Sequence, residues 1–293
     1  MHDINKVEKS MIYREFEIKE EGSLDGAKLT VYAQEPSDSL KISKRPLVLL
    51  CPGGGYAYTS DREAEPMALA FMAKGYNAAI LRYSCAPATY PTALLELGRA
   101  VLIIREHAKE WEIDPEAIIV EGCSAGGHLA ASYSCFWNKD FMAEKLIGDA
   151  KESSKEMLRP NGLMLCYPVI TSGEFAHRGS FENLLGDKYD ELVDEMSLEN
   201  RVTDSVPRTF IWHTFTDGAV PVENSLLFSM ALRKNGVNTE LHIFPEGGHG
   251  LALADRTTLG PEGKENVPAC TPWIDLAATW LKYYWCEQYA SEQ

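Results

Sequence analysis

The chain has 293 residues, 45% of them hydrophobic, and carries 28 Lys and Arg against 43 Asp and Glu, a formal net charge of −15. That balance argues against nucleic acid or an anionic membrane surface as the main partner, and no apolar run approaches the ~18 residues of a membrane span. The length fits one large α/β domain with an ample core.

In chain order, residues 15–19 alternate as Glu-Phe-Glu-Ile-Lys and residues 27–33 are strand-like. Gly22 and Gly26 lie between them, so the two form an opening antiparallel hairpin. Apolar runs follow at 47–51, 77–83, 117–123, 163–170, 209–213 and 240–244, separated by longer helical patterns. Continuous apolar runs alternating with helices predict parallel strands covered on both faces. Leu94, Leu97, Val101, Ile104 and Ala108 recur at three- and four-residue steps, giving one helix a buried face. A helix starting at Val222 ends at Gly236, a C-cap after Arg233 and Lys234. The last helix, about 273–288, is rich in Trp and Tyr that read as core packing and surface cover rather than a ligand box. Two regions interrupt the alternation, 138–160 and 172–207, the second holding Phe181, Leu184, Leu185, Tyr189 and Leu192. Insertions into an open α/β sheet lie above the carboxyl ends of the strands, where ligands bind. They are candidates for a small cap on a single domain spanning residues 1–293.

Residues 1–21 are charged and lack an apolar core of signal-peptide length. The seven cysteines are scattered without metal-ligand spacing, and Cys51, Cys123 and Cys166 sit inside apolar runs as small hydrophobes. Both features point to a reducing, cytoplasmic setting. No H-E-x-x-H or comparable cluster is present, so neither a metal nor a cofactor is expected.

The chemistry concentrates in Ile118-Ile119-Val120-Glu121-Gly122-Cys123-Ser124-Ala125-Gly126-Gly127-His128. A β-branched run leads into Gly-x-Ser-x-Gly and then into small residues suited to a helix, the strand–turn–helix setting of a nucleophile elbow. Glycine two residues either side of Ser124 lets the turn close against its neighbouring strand and helix. A serine hydroxyl is a poor nucleophile at neutral pH, so it needs a base, and the base an orienting acid. His249 occupies a flexible turn after the last strand, in Gly247-Gly248-His249-Gly250, whereas His213 and His242 lie within strands and His177 in the polar insertion. Asp217 stands just beyond the run at 209–213 and 32 residues before His249, which puts the two on adjacent strand ends. Asp204 falls at the wrong end of that strand and Asp255 follows the histidine. The glycine run Pro52-Gly53-Gly54-Gly55-Tyr56 follows the third strand and lets backbone N–H groups turn towards a developing oxyanion. Gly54, Gly55 and Ala125 are the candidate donors. No Gly-Lys-Ser/Thr follows, which disfavours a phosphate loop.

With these elements in order, the chain resembles the α/β-hydrolase serine esterases, and more narrowly the bacterial acetylxylan and feruloyl-type carbohydrate esterase branch related to the hormone-sensitive-lipase group. The resemblance runs from about residue 46 to 280. It rests on Pro52-Gly53-Gly54-Gly55-Tyr56, Leu81-Arg82-Tyr83-Ser84, Tyr90-Pro91, the elbow through Ala130, Trp212-His213-Thr214, Asp217, Val220-Pro221 and Gly248-His249-Gly250. Pro52 stands where the lipase-like motif has histidine, which points away from a lipase proper.

The resemblance implies an α/β-hydrolase fold, with a mostly parallel central sheet, helices on both faces and small insertions over the active site. It also implies a serine carboxylesterase removing short acyl groups, acetyl first, from carbohydrate such as xylo-oligosaccharide through an acyl-enzyme. Tyr56 and Tyr83 are expected to line the pocket, since aromatic faces suit sugar rings. A general short-chain carboxylesterase and, further off, a serine peptidase stay open as alternatives, as does homo-oligomerisation.

Overall fold

The computed structural model describes residues 11–286 apart from 38, 41 and 43. Among these, eight strands form one sheet: β1 (Ile12–Glu17), β2 (Lys28–Ala33), β3 (Arg45–Cys51), β4 (Asn77–Arg82), β5 (Ile113–Cys123), β6 (Gly162–Cys166), β7 (Thr209–Thr214) and β8 (Thr239–Phe244). Their order across the sheet is β1-β2-β4-β3-β5-β6-β7-β8. The opening hairpin is present, Ile12 pairing with Ala33 and Glu17 with Lys28. β2 joins β4 antiparallel, and every later pair is parallel.

The helices are α1 (Glu65–Ala73), α2 (Thr92–His107), α3 (Ala125–Phe136), α4 (Asp140–Leu146), α5 (Glu152–Glu156), α6 (Arg178–Leu185), α7 (Tyr189–Leu192), α8 (Glu223–Lys234) and α9 (Trp273–Trp285). The period of two in the strands sorts the core into two layers. Leu47, Leu49, Ile118, Val120, Leu163, Leu165 and Ile211 face α2, α3 and α8. Val48, Leu50, Ile119, Met164, Phe210 and Trp212 face α1 and α9, whose Met67, Phe71, Trp273 and Trp280 are buried with them. Trp273 and Trp280 of the last helix are core, and Trp285 packs partly buried against them. The expected end of that helix, at residue 288, lies outside the described residues, as do residues 1–10 of the charged N-terminal stretch. No helix among the described residues is long and apolar enough to cross a membrane.

β6 stops at Cys166, four residues short of the apolar run that contains it. Tyr167 has φ 39° and Pro168 has no N–H, so neither continues the ladder. The chain instead wraps the elbow, with Ser124 N–H donating to Cys166 O at 3.0 Å and Val169 N–H to Ser124 O at 3.0 Å.

The two insertions part company. The first carries α4 and α5 and packs on the flank of α2, where Arg99 Nη2 donates to Leu146 O at 2.9 Å. The second reaches the glycine run after β3, where Asn183 Nδ2 on α6 donates to Gly55 O at 2.8 Å. The loops leaving the carboxyl ends of β3, β5, β7 and β8 carry the glycine run, Ser124, Asp217 and His249, so the sheet delivers all four to one edge.

Candidate active site

Ser124 joins β5 to α3 with φ 54° and ψ −118°, a conformation that costs a non-glycine residue about 1–3 kcal/mol. The flanking glycines permit it by their closeness to neighbouring backbone. A Cβ at Gly122 would lie 2.1 Å from Gly126 O, and one at Gly126 only 1.9 Å from Cys51 O.

Ser124 Oγ lies 2.7 Å from His249 Nε2, and His249 Nδ1 lies 2.7 Å from Asp217 Oδ2. Asp217 Oδ1 accepts from the N–H groups of Ala219 and Val220, both at 2.9 Å. A second imidazole approaches the carboxylate, since His213 Nε2 is 3.3 Å from Asp217 Oδ2. That nitrogen also meets Val220 O at 3.0 Å, and His213 Nδ1 meets the Ser225 hydroxyl at 2.8 Å. A nitrogen facing a carbonyl must donate, so His213 carries its proton on Nε2 and accepts from Ser225 on Nδ1. Burial alone would raise the Asp217 carboxyl, but hydrogen bonds from His213 and His249 outweigh it and hold the group well below the usual carboxylate range. An ionised Asp217 takes the Nδ1 proton of His249 in a hydrogen bond, which leaves Nε2 as an acceptor facing the Ser124 hydroxyl.

The glycine loop is fixed from every side. Pro52 O accepts from the Tyr83 hydroxyl at 2.6 Å. Gly53 O accepts from Ser60 N–H at 2.9 Å, Gly54 O from Ala57 N–H at 3.0 Å and Tyr56 O from Ala86 N–H at 2.7 Å. Gly54 has φ 130°, and a Cβ there would sit 2.2 Å from Tyr58 O. With the carbonyls engaged, the N–H groups of Gly54 and Gly55, like that of Ala125 at the start of α3, have no acceptor among the described residues. Three donors held in place without partners are what an oxyanion requires.

Tyr56 and Tyr83 do not present their rings to the cleft. They are 2% and 4% exposed and pack edge-on against each other, 5.9 Å between centroids. The expected pocket wall is instead the underside of the glycine loop: Tyr83 ties down Pro52, and the Tyr56 hydroxyl meets His128 Nδ1 at 3.0 Å. A tyrosine ring satisfies a core as well as a sugar, and here the hydroxyls find partners inside.

His128, one turn beyond Ser124, has no motif around it that marks a role in the sequence. Its Nε2 meets Met196 O at 2.9 Å, joining the glycine loop to the second insertion. Burial pushes its pKa down to about 4, so the ring is neutral. Also unforeseen is the grouping of Glu121, Cys123 and Cys166, whose ligand atoms lie within 4.8 Å of one another in the core below the elbow. Both thiols approach Glu121 Oε1, at 3.3 and 3.0 Å. Burial raises that carboxyl to about 8, so it holds a proton at neutral pH. The three residues come from adjacent strands, and no spacing in the chain brings β5 and β6 into register.

The BD-FAE family model matches residues 35–232, more than half of the chain. The chain belongs to the BD-FAE family. This member is similar to the endo-1,4-beta-xylanase B of Butyrivibrio fibrisolvens, 37% identical over 72% of the chain and 33% of that protein. It is 31% identical to the acetylxylan esterase of Xylanibacter ruminicola over 69% of the chain and 40% of that protein. The chain therefore spans well under half the length of these two curated relatives. Among solved structures it resembles an acetyl ester-xyloside bifunctional hydrolase from Caldicellulosiruptor lactoaceticus, with 40% identity, 87% of each chain covered and a TM-score of 0.73. The fold of this BD-FAE protein is that of the α/β hydrolases.

Proposed function

We propose that this BD-FAE protein is a serine carboxylesterase that removes short acyl groups, acetyl above all, from carbohydrate esters such as those of xylo-oligosaccharides. The observation that carries the reading is the pair of 2.7 Å contacts linking Ser124 to His249 and His249 to Asp217, beside three free backbone donors. In this reading His249 Nε2 takes the hydroxyl proton as Ser124 Oγ attacks the ester carbonyl, and Asp217 stabilises the imidazolium. Gly54, Gly55 and Ala125 donate to the oxyanion of the tetrahedral intermediate. The proton passes from His249 to the departing sugar oxygen and leaves an acyl-enzyme. A water activated by the same imidazole then releases the acid and restores the serine.

The carbohydrate side of the proposal draws on the xylan-related names of its relatives. The seven free cysteines suit a reducing compartment, where the substrate would be an oligosaccharide rather than the polymer. The test is acetate release from acetylated xylo-oligosaccharides, with the Ser124→Ala variant as blank and an expected loss of about four to six orders of magnitude. Hydrolysis of 4-nitrophenyl acetate without acetate release from the oligosaccharide would keep the esterase and reject the sugar. Activity unchanged in Ser124→Ala would reject the nucleophile itself.

A further inference from the structure

Behind the candidate oxyanion donors lies a carboxylate that the reaction does not touch. Glu63 ends the short 3-10 turn Asp61–Glu63 and is 4% exposed. Its Oε2 accepts from Gly53 N–H at 2.8 Å, and its Oε1 accepts from the Tyr167 hydroxyl at 2.8 Å. The Tyr167 oxygen in turn accepts from Ala252 N–H at 2.9 Å, three residues past His249. The Tyr167 ring stands edge-on to the His249 imidazole, 5.3 Å between centroids and 75° between planes. Arg62, the neighbour of Glu63, donates to Gly250 O at 2.8 Å and to Thr258 O at 2.7 Å. One turn thus grips the loop that carries Gly54 and Gly55 and the loop that carries His249.

We infer that Glu63, acting through Gly53 and through Tyr167, is a positioning residue that sets the oxyanion donors and the histidine loop in a fixed relation to Ser124. The inference rests on the esterase reading and extends it to a residue that makes no contact with the reacting atoms. Clearance leaves the loop little freedom to find another seat. A Cβ at Gly53 would come within 2.8 Å of Glu63 Oε2 and 2.9 Å of Ser124 Cβ, so carboxylate, loop and nucleophile are stacked without slack. Drawing Gly53 N–H inward fixes the peptide from which the next two N–H groups turn out towards the cleft. The residue type follows from the partners. Both oxygens of Glu63 face donors, Gly53 N–H on one side and the Tyr167 hydroxyl on the other. A carboxylate accepts from both, whereas an amide that accepts from Gly53 N–H turns its NH₂ on the Tyr167 oxygen, which must then accept from it as well as from Ala252 N–H and send its own proton elsewhere. The negative charge itself opposes an oxyanion in front of it. If charge outweighed geometry, removing it would speed the reaction, which gives the test its sign.

The experiment measures kcat and KM for 4-nitrophenyl acetate in wild type, Glu63→Gln, Glu63→Asp and Tyr167→Phe, with reactive serines counted by stoichiometric fluorophosphonate labelling. Affinity for a trifluoromethyl ketone, which forms an oxyanion on Ser124, is measured alongside. Removing an oxyanion donor outright typically costs 10²–10³ in kcat, so misplacing donors should cost about 10- to 100-fold. Glu63→Gln should lower kcat per labelled serine by that factor, leave KM within about threefold and weaken ketone binding in parallel. Tyr167→Phe should act in the same direction more weakly, and Glu63→Asp should recover part of the loss. A merely structural role would lower the melting temperature and the labelled fraction while leaving kcat per labelled serine unchanged. That result, or a faster Glu63→Gln enzyme, overturns the inference. If Glu63→Gln does not fold, Tyr167→Phe decides by the same readouts. A wild type that neither labels nor hydrolyses the ester would instead sink the esterase reading.

Discussion

Replacing Asp217 by asparagine keeps the shape of the side chain and removes both its negative charge and its ability to accept on both oxygens. The carbonyl of the amide can take one of two seats. On the Oδ1 side it meets two fixed donors, the N–H groups of Ala219 and Val220 at 2.9 Å. On the Oδ2 side the fixed donor is His213 Nε2 at 3.3 Å, already shared with Val220 O, because His249 can move its own proton. Leaving the buried Val220 N–H unpaired costs about 1–3 kcal/mol and the more exposed Ala219 N–H adds less, so two short donors outweigh one long shared one by about 2–3 kcal/mol. The amide NH₂ therefore turns to His249, whose Nδ1 must become the acceptor and whose Nε2 then carries the proton. In that tautomer the imidazole donates to Ser124 and cannot remove its proton. At about 1.4 kcal/mol per decade, the competent orientation is populated at a few per cent or less, and kcat should fall by about 30- to 150-fold from orientation alone, and further because the lost charge no longer stabilises the imidazolium. Steady-state hydrolysis of 4-nitrophenyl acetate measures the loss, and the ¹⁵N shifts of the His249 ring report the tautomer. A loss below tenfold, or a variant that keeps the Nδ1 proton, would refute the reasoning.

Two further outcomes follow from buried backbone and buried charge. Glu121, with its pKa near 8 in the folded protein against an ordinary value of 4.5, holds its proton more tightly when folded. The stability it contributes is complete below about pH 4.5 and declines as pH rises through 8, by up to roughly 3–5 kcal/mol. Glu121→Gln should flatten that decline, so that urea midpoints of variant and wild type converge at pH 5 and separate at pH 8.5; parallel curves would show that Glu121 is not the source. Gly126→Ala should cost at least about 3 kcal/mol and most of the activity, because its Cβ meets Cys51 O at 1.9 Å and Pro52 O at 2.6 Å, backbone against backbone. A melting temperature equal to wild type would mean that the elbow and β3 can separate freely.

What could be read in the chain was whatever obeys a local period or a local order. The strand–turn–helix around Ser124 announces itself because both glycines and the apolar run fall within one short segment. Asp217 and His249 were legible from their places after successive strands, and the structure brings them into one hydrogen-bonded line with the serine. Glu63 was not legible. It lies in the charged run Asp61-Arg62-Glu63-Ala64-Glu65, which reads as an exposed helix start, and its partner Tyr167 is 104 residues away. Tyr56 and Tyr83 illustrate the opposite failure, since their proximity to the motif was legible but the direction of their rings was not. The run at 163–170 looked like one strand because valine and isoleucine continue it; the positive φ of Tyr167 that ends it comes from the crossing beneath the elbow.

The backbone of Ser124 is the residue's best-kept constraint, and it bears on how the sequence can drift. With φ at 54° the position would suit glycine better than any side chain. Selection for folding alone would therefore draw this position away from serine, and under the proposed role of its hydroxyl a more robust but inert descendant is one substitution away. A lineage that retains serine here must be under continuing demand for the hydroxyl, and relaxing that demand should leave its first mark at this codon before any in the core.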